Sequence, residues 1–180
     1  MTQKTDRNTF QEHVVLVDES DTATGVMEKM AAHDGPHLHR AFSVFIFNSA
    51  GEMLLQQRAA SKYHSPLLWT NACCSHPRQG ESVMQAATRR LAEEMGMACE
   101  LKELYTFIYM AEVGNGLTEN ELDHVLAGTT DATPTINTDE VEDYKYLSIS
   151  KIKQQIAQHP ERFTEWFKIT FDELCRHLNQ

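Results

Sequence analysis

The chain has 180 residues, 41% hydrophobic and 23% charged, a composition that fits a globular domain and excludes a largely disordered one. At this length it can bury roughly 70% of the surface that its unfolded form exposes. Its formal charge of −10 argues against nucleic acid or an anionic membrane as partner, because both require a basic footprint. A small anionic ligand remains open to it through a few local cations. The polar start, MTQKTDRNTFQEH, has no apolar signal segment, and no apolar run is long enough for a membrane span, so a cytoplasmic location is expected. The four cysteines show neither zinc-ligand nor disulfide-framework spacing, which suits reduced thiols.

Residues 1–12 read as a flexible lead to a single domain over 13–180. Residues 13–18 (HVVLVD) read as a short strand, 19–25 as a polar turn, and 26–40 as a loop or broken helix. Residues 41–47 (AFSVFIF) form a buried strand, and turn chemistry at 48–51 joins it to a second strand at 53–58 in an expected hairpin. Residues 61–80 hold Pro66, Trp69, Cys73, Cys74, His76, Pro77 and Gly80, too punctuated for a regular element. Ser82 and Gln85 form a capping box for a helix that Gly96 ends, with an apolar stripe of Ala86, Ala87, Leu91 and Met95. Strands follow at 101–110, 121–127 and 142–147, then helices at 149–158 and 163–178 with Pro160 as a breaker between them. The pattern is α/β (α+β): a mixed sheet flanked by helices.

On the 82–96 helix, Arg89–Glu93 and Arg90–Glu94 are two i,i+4 pairs, which alone would describe a solvated face. The wider frame changes that reading. Ser75, Glu81 and Arg89-Arg90-Leu91-Ala92-Glu93-Glu94-Met95-Gly96-Met97 resemble the Nudix signature G-x5-E-x7-R-E-U-x-E-E-x-G-U. Ser75 replaces its first Gly and Arg90 replaces a Glu. An Arg there removes one carboxylate from the multi-magnesium cluster of the hydrolases and adds a cation. Glu94 remains placed for a single Mg²⁺ shared with substrate phosphates. Glu119 and Glu121, two apart on a strand, can reach one ion, although Asp123 shares their face and a solvated acidic face is the competing reading.

Four further stretches, Glu28-Lys-Met-Ala-Ala-His33, His39-Arg-Ala-Phe42, Trp69-Thr-Asn-Ala-Cys-Cys-Ser-His-Pro77 and Glu119-Asn-Glu121, resemble type I isopentenyl diphosphate isomerase in content, order and approximate separation. With the degenerate Nudix box the likeness runs from about residue 13 to residue 166. The resemblance implies a Nudix-like mixed sheet sandwiched between helices. It also implies a metal site of His33, His39, His76, Glu119 and Glu121 for Mn²⁺ or Zn²⁺, with Mg²⁺ at Glu94. By the same resemblance Cys74, Glu121, Tyr109 and Trp166 are catalytic, and Lys29, Arg58, Lys62 and Arg90 contact the diphosphate. Tyr63 stands where some relatives carry another Lys, and Cys73 has no implied role.

The implied activity converts isopentenyl diphosphate to dimethylallyl diphosphate through a tertiary carbocation, with Cys74 on one face and Glu121 with Tyr109 on the other. The implied partner is that small molecule alone, and the chain is expected as a monomer or weak homodimer. The alternatives are a Nudix pyrophosphohydrolase of a nucleoside diphosphate derivative, against which Arg90 argues, and a catalytically silent Nudix-like binding module.

Overall fold

A computed structural model describes residues 12–178. The flexible lead expected over 1–12 lies, for residues 1–11, outside them. Nine strands, β1 (His13–Val17), β2 (Ala23–Glu28), β3 (His39–Phe47), β4 (Met53–Arg58), β5 (Trp69–Thr70), β6 (Cys73–Ser75), β7 (Leu101–Gly114), β8 (Leu117–Thr129) and β9 (Val141–Leu147), form one mixed sheet. Among the described residues four α-helices accompany it, α1 (Lys29–Asp34), α2 (Val83–Met95), α3 (Ile149–Gln158) and α4 (Glu165–Leu178), with a 3-10 turn at Pro160–Arg162 between the last two.

Strand β3 is the hub. It runs parallel to β8 from His39↔Glu121 to Phe47↔Thr129 and antiparallel to β6 from Phe42↔Ser75 to Val44↔Cys73. Period-two alternation sends its side chains to two separate cores. Phe42, Val44 and Ile46, with Leu54 and Leu126, pack beneath Ala86, Ala87, Leu91 and Met95 of α2. Phe45, with Met53, Leu55 and Val125, packs beneath Ile152 of α3 and Phe167, Phe171 and Leu174 of α4. The expected mixed sheet between helices is therefore what the chain builds. The same alternation parts the two neighbouring cysteines: Cys73 joins the α2 core, and Cys74 lies against the α3–α4 core.

Several boundaries differ from expectation. The turn and irregular segment over 19–40 contain β2 and α1, so His33 sits on a helix and His39 opens β3. Residues 23–26 of β2 are exposed on both faces, which leaves no apolar alternation to read. The expected hairpin of β3 and β4 is reduced to a single pair, Phe47↔Met53, because β6 and β8 flank β3 while β5 and β9 flank β4. Two short strands, β5 and β6, lie in the punctuated 61–80 stretch. Helix α2 has its capping box at Ser82 and Gln85 and ends at left-handed Gly96 (φ 61°). Helix α4 begins at Glu165, two residues later than expected, because Thr164 donates its backbone N–H to the Trp69 carbonyl. No helix among the described residues is long and apolar enough to cross a membrane.

Candidate active site

The β3–β8 register sets His39 directly opposite Glu121. Helix α1 brings His33 to the same end of the sheet, and His76 follows β6. The ligand atoms of His33, His39, His76, Glu119 and Glu121 all lie within 4.8 Å of one another. Glu119, Glu121 and Asp123 are buried, so the solvated acidic face is the wrong reading of this strand. His33 Nδ1 lies 2.6 Å from the Lys29 carbonyl and His39 Nδ1 lies 2.8 Å from the His37 carbonyl. A proton on each Nδ1 donates to that carbonyl and turns the Nε2 lone pair inward, as a metal ligand requires.

Two of the interior atoms lack a hydrogen-bond partner among the described residues. His39 Nε2 and His76 Nε2 stand 3.2 Å apart, and His76 Nε2 is 2.9 Å from Glu121 Oε1. His33 Nε2 and Glu119 Oε2 are 2.9 Å apart, but neither has a partner in hydrogen-bonding orientation and both are buried. Three imidazoles and two carboxylates converging in this way suit a divalent ion of borderline hardness. Tyr109 donates to Glu121 Oε2 at 2.5 Å. Burial opposes ionisation of Glu121, but the neighbouring His39 imidazole, 3.6 Å away, and the Tyr109 hydrogen bond hold its carboxyl below the usual range.

A cavity of about 370 Å³ opens over this cluster, and Cys74, Tyr109, His76, Glu119, Glu121 and Trp166 line it. The Cys74 thiol donates to Asn71 Oδ1 at 2.9 Å and lies 3.4 Å from the Ser43 hydroxyl. Burial, reinforced by the charges of Asp123 and Glu121, raises its pKa and keeps the sulfur protonated. Trp166 is tethered by its Nε1 donating to Thr70 Oγ1 at 3.1 Å.

Lys29, Arg58, Lys62 and Arg90 line the same cavity. Arg58 is mostly enclosed, its Nε has no hydrogen-bond partner among the described residues, and its Nη2 makes one bond of 3.2 Å to the His64 carbonyl. Such a guanidinium has donors to spare for an anion. Lys29 pairs with Glu12 at 2.9 Å. Arg90 is held by Glu93 (2.8 Å), Glu94 (2.7 Å) and Glu140 (3.3 Å), and Lys62 also pairs with Glu140. Both expected i,i+4 pairs are present, Arg89–Glu93 at 3.2 Å being the other. Glu94 is buried rather than solvated, accepting from Arg90 and, at 2.8 Å, from Gln56. It stands apart from the five-residue donor cluster.

Sequence reasoning missed Glu140, which ties two cations from distant segments, and His64, which packs against Trp166. No spacing signal marks either; only the folded chain brings them to the cavity.

The NUDIX-domain family matches residues 37–167. An isopentenyl-diphosphate Delta-isomerase of Pectobacterium atrosepticum is 56% identical over 158 residues, covering 88% of each chain. Isopentenyl-diphosphate Delta-isomerase 1 of Aromatoleum aromaticum is 49% identical, covering 93% of this chain and 96% of its own. Among solved structures, a protein from Deinococcus radiodurans superposes with a TM-score of 0.69 at 21% identity, covering 82% of this chain and 90% of that one. A MutT protein from Methanosarcina mazei gives 0.65 at 18%, covering 79% and 96%. These structural likenesses establish the fold. With the close sequence relatives they lead to one conclusion: the chain belongs to the NUDIX-domain family and, within it, to the isopentenyl-diphosphate Delta-isomerases.

Proposed function

We propose that the chain interconverts isopentenyl diphosphate and dimethylallyl diphosphate, with the cavity over the His/Glu cluster as its active site. The observation that carries this reading is the meeting in one cavity of Cys74 with Glu121, itself bonded to Tyr109 and joined to the five-residue metal-ligand cluster. Proton exchange takes place at Cys74 Sγ on one face of the substrate and at the Glu121 carboxyl, aided by Tyr109, on the other. A proton added to the terminal carbon C4 leaves a tertiary cation at C3, and loss of a proton from C2 forms the shifted double bond. The Trp166 indole offers its π-face to that cation, an interaction worth about 2 kcal/mol when desolvated.

Arg58, with its unpartnered Nε, and Lys29, Lys62 and Arg90 receive the diphosphate. They gather four cations at one cavity of an acidic protein, and of these Arg58 has no ion-pair partner among the described residues. His33, His39, His76, Glu119 and Glu121 would hold Mn²⁺ or Zn²⁺, which when bound supplies a fixed positive charge beside Glu121. Glu94, whose Oε1 accepts from Arg90 and the Cys73 thiol while Oε2 accepts from Gln56 alone, would share Mg²⁺ with the diphosphate through Oε2. Arg90 standing among Glu93, Glu94 and Glu140 counts against a hydrolytic cluster of several Mg²⁺ ions, since its guanidinium fills the space between the carboxylates.

The test is incubation with isopentenyl diphosphate and Mg²⁺, followed by NMR for dimethylallyl diphosphate and free phosphate. Wild-type protein forms the isomer without releasing phosphate. Cys74→Ala and Glu121→Gln each lose turnover and still bind substrate. Phosphate release by the wild type, or full turnover by either variant, overturns the reading.

A further inference from the structure

The connection from β4 to β5 makes a tight excursion. Arg58 N donates to the Leu68 carbonyl at 2.9 Å, and Leu67 N donates to the Arg58 carbonyl at 3.1 Å. Gln57 Nε2 donates to the Leu67 carbonyl at 2.8 Å. Within this clamp Ser65 (φ 48°) and Leu67 (φ 62°) adopt the left-handed region, which L residues avoid and which recurs where a loop aims side chains at a ligand. The excursion carries Tyr63 and His64 to the cavity wall.

His64 is 6% exposed. Its ring meets Trp166 edge-on, with centroids 5.4 Å apart and planes at 81°, and it meets Tyr63 in the same way at 4.5 Å. The Arg58 guanidinium lies 5.0 Å from the Trp166 ring centroid. Thr70 fixes the indole by its nitrogen, and His64 bears edge-on against the ring, one of the contacts that oppose its pivoting about that bond. Burial and the Arg58 charge lower the imidazole pKa to about 4, so it is neutral at neutral pH and does not oppose a cation near Trp166.

We propose that His64 is a positioning and specificity-determining residue: packed edge-on to Trp166, it fixes the indole and bounds the space open to the alkyl branch of the substrate. This rests on the isomerase reading, which puts Trp166 over the reacting carbons. The diphosphate end is held by Lys29, Arg58, Lys62 and Arg90; His64 holds Arg58 only through its backbone carbonyl, which a side-chain substitution keeps, so the division is measurable.

The experiment compares wild type, His64→Ala and His64→Phe on isopentenyl diphosphate and on its homologue with ethyl in place of the C3 methyl. In His64→Ala, kcat for the natural substrate falls while KM stays within about twofold, and the preference in kcat/KM over the ethyl homologue drops about tenfold, the scale set by one methylene in an apolar pocket. His64→Phe restores most of that preference by refilling the wall. If His64→Ala does not fold, His64→Val makes the same comparison. Unchanged preference in a folded variant overturns the inference and leaves the isomerase reading standing, as does a rise in KM at constant kcat. Absence of isomerisation by the wild type overturns both.

Discussion

At the scale of single residues, burial has driven His64 far from its ordinary titration. Its pKa falls from 6.5 to about 4, first through desolvation and then through Arg58 and, more weakly, Lys29 and His33, with Glu119 acting in the opposite sense. The unfolded chain therefore takes up this proton at higher pH than the folded one. Stability from the neutral ring is complete above pH 6.5 and is lost as pH falls towards 4. His64→Phe has no such proton to bind, so its urea-unfolding free energy should decline less than the wild type's across that interval; identical declines would refute the assignment. The sequence did not announce this residue. One histidine among nine has no signature when its partner, Trp166, lies about a hundred positions away. Glu121 and Cys74 are singled out through the resemblance, on short stretches of adjacent residues, and the fold brings both to one cavity.

Among the elements, α2 was the most legible, since its cap, apolar stripe and terminating glycine are local features. Gly96 shows how closely that terminus is fitted. Its φ is 61°, and a Cβ there would stand 2.5 Å from the Thr135 carbonyl oxygen. Gly51 has a φ of 75° but nothing within 4 Å of the same position. Gly51→Ala should then cost about 1–2 kcal/mol from backbone conformation alone. Gly96→Ala should cost clearly more, because the Thr135 backbone must shift as well; equal losses in thermal or urea melts would contradict this. Strand β2 and helix α1 were illegible for the opposite reason. An exposed edge strand shows no alternation, and a helix of six residues is sustained by tertiary contacts rather than by its own pattern.

For the whole molecule, the sequence indicated a mixed sheet between helices but not its strand order, because pairing partners are chosen by contacts no local window contains. The His/Glu cluster joins α1, β3, the segment after β6 and β8, so a bound ion cross-links four parts of the chain. A divalent ion that binds only the folded form should raise the unfolding midpoint, by about 2.7 kcal/mol of stability at a hundredfold excess over its Kd. Chelation should remove that increment and His39→Ala should largely abolish it, as read by thermal melts with and without Mn²⁺ or Zn²⁺. A midpoint indifferent to the ion would exclude the cross-link. The parallel ladder of β3 and β8 has a further consequence in time. During synthesis from the N-terminus, β3 emerges long before β8 exists, and its apolar run AFSVFIF must wait with one edge unpaired. The nascent chain is thus most exposed to misassociation in the interval before residues 117–129 leave the ribosome, and the cavity over the His/Glu cluster, which Trp166 completes, is among the last features to form.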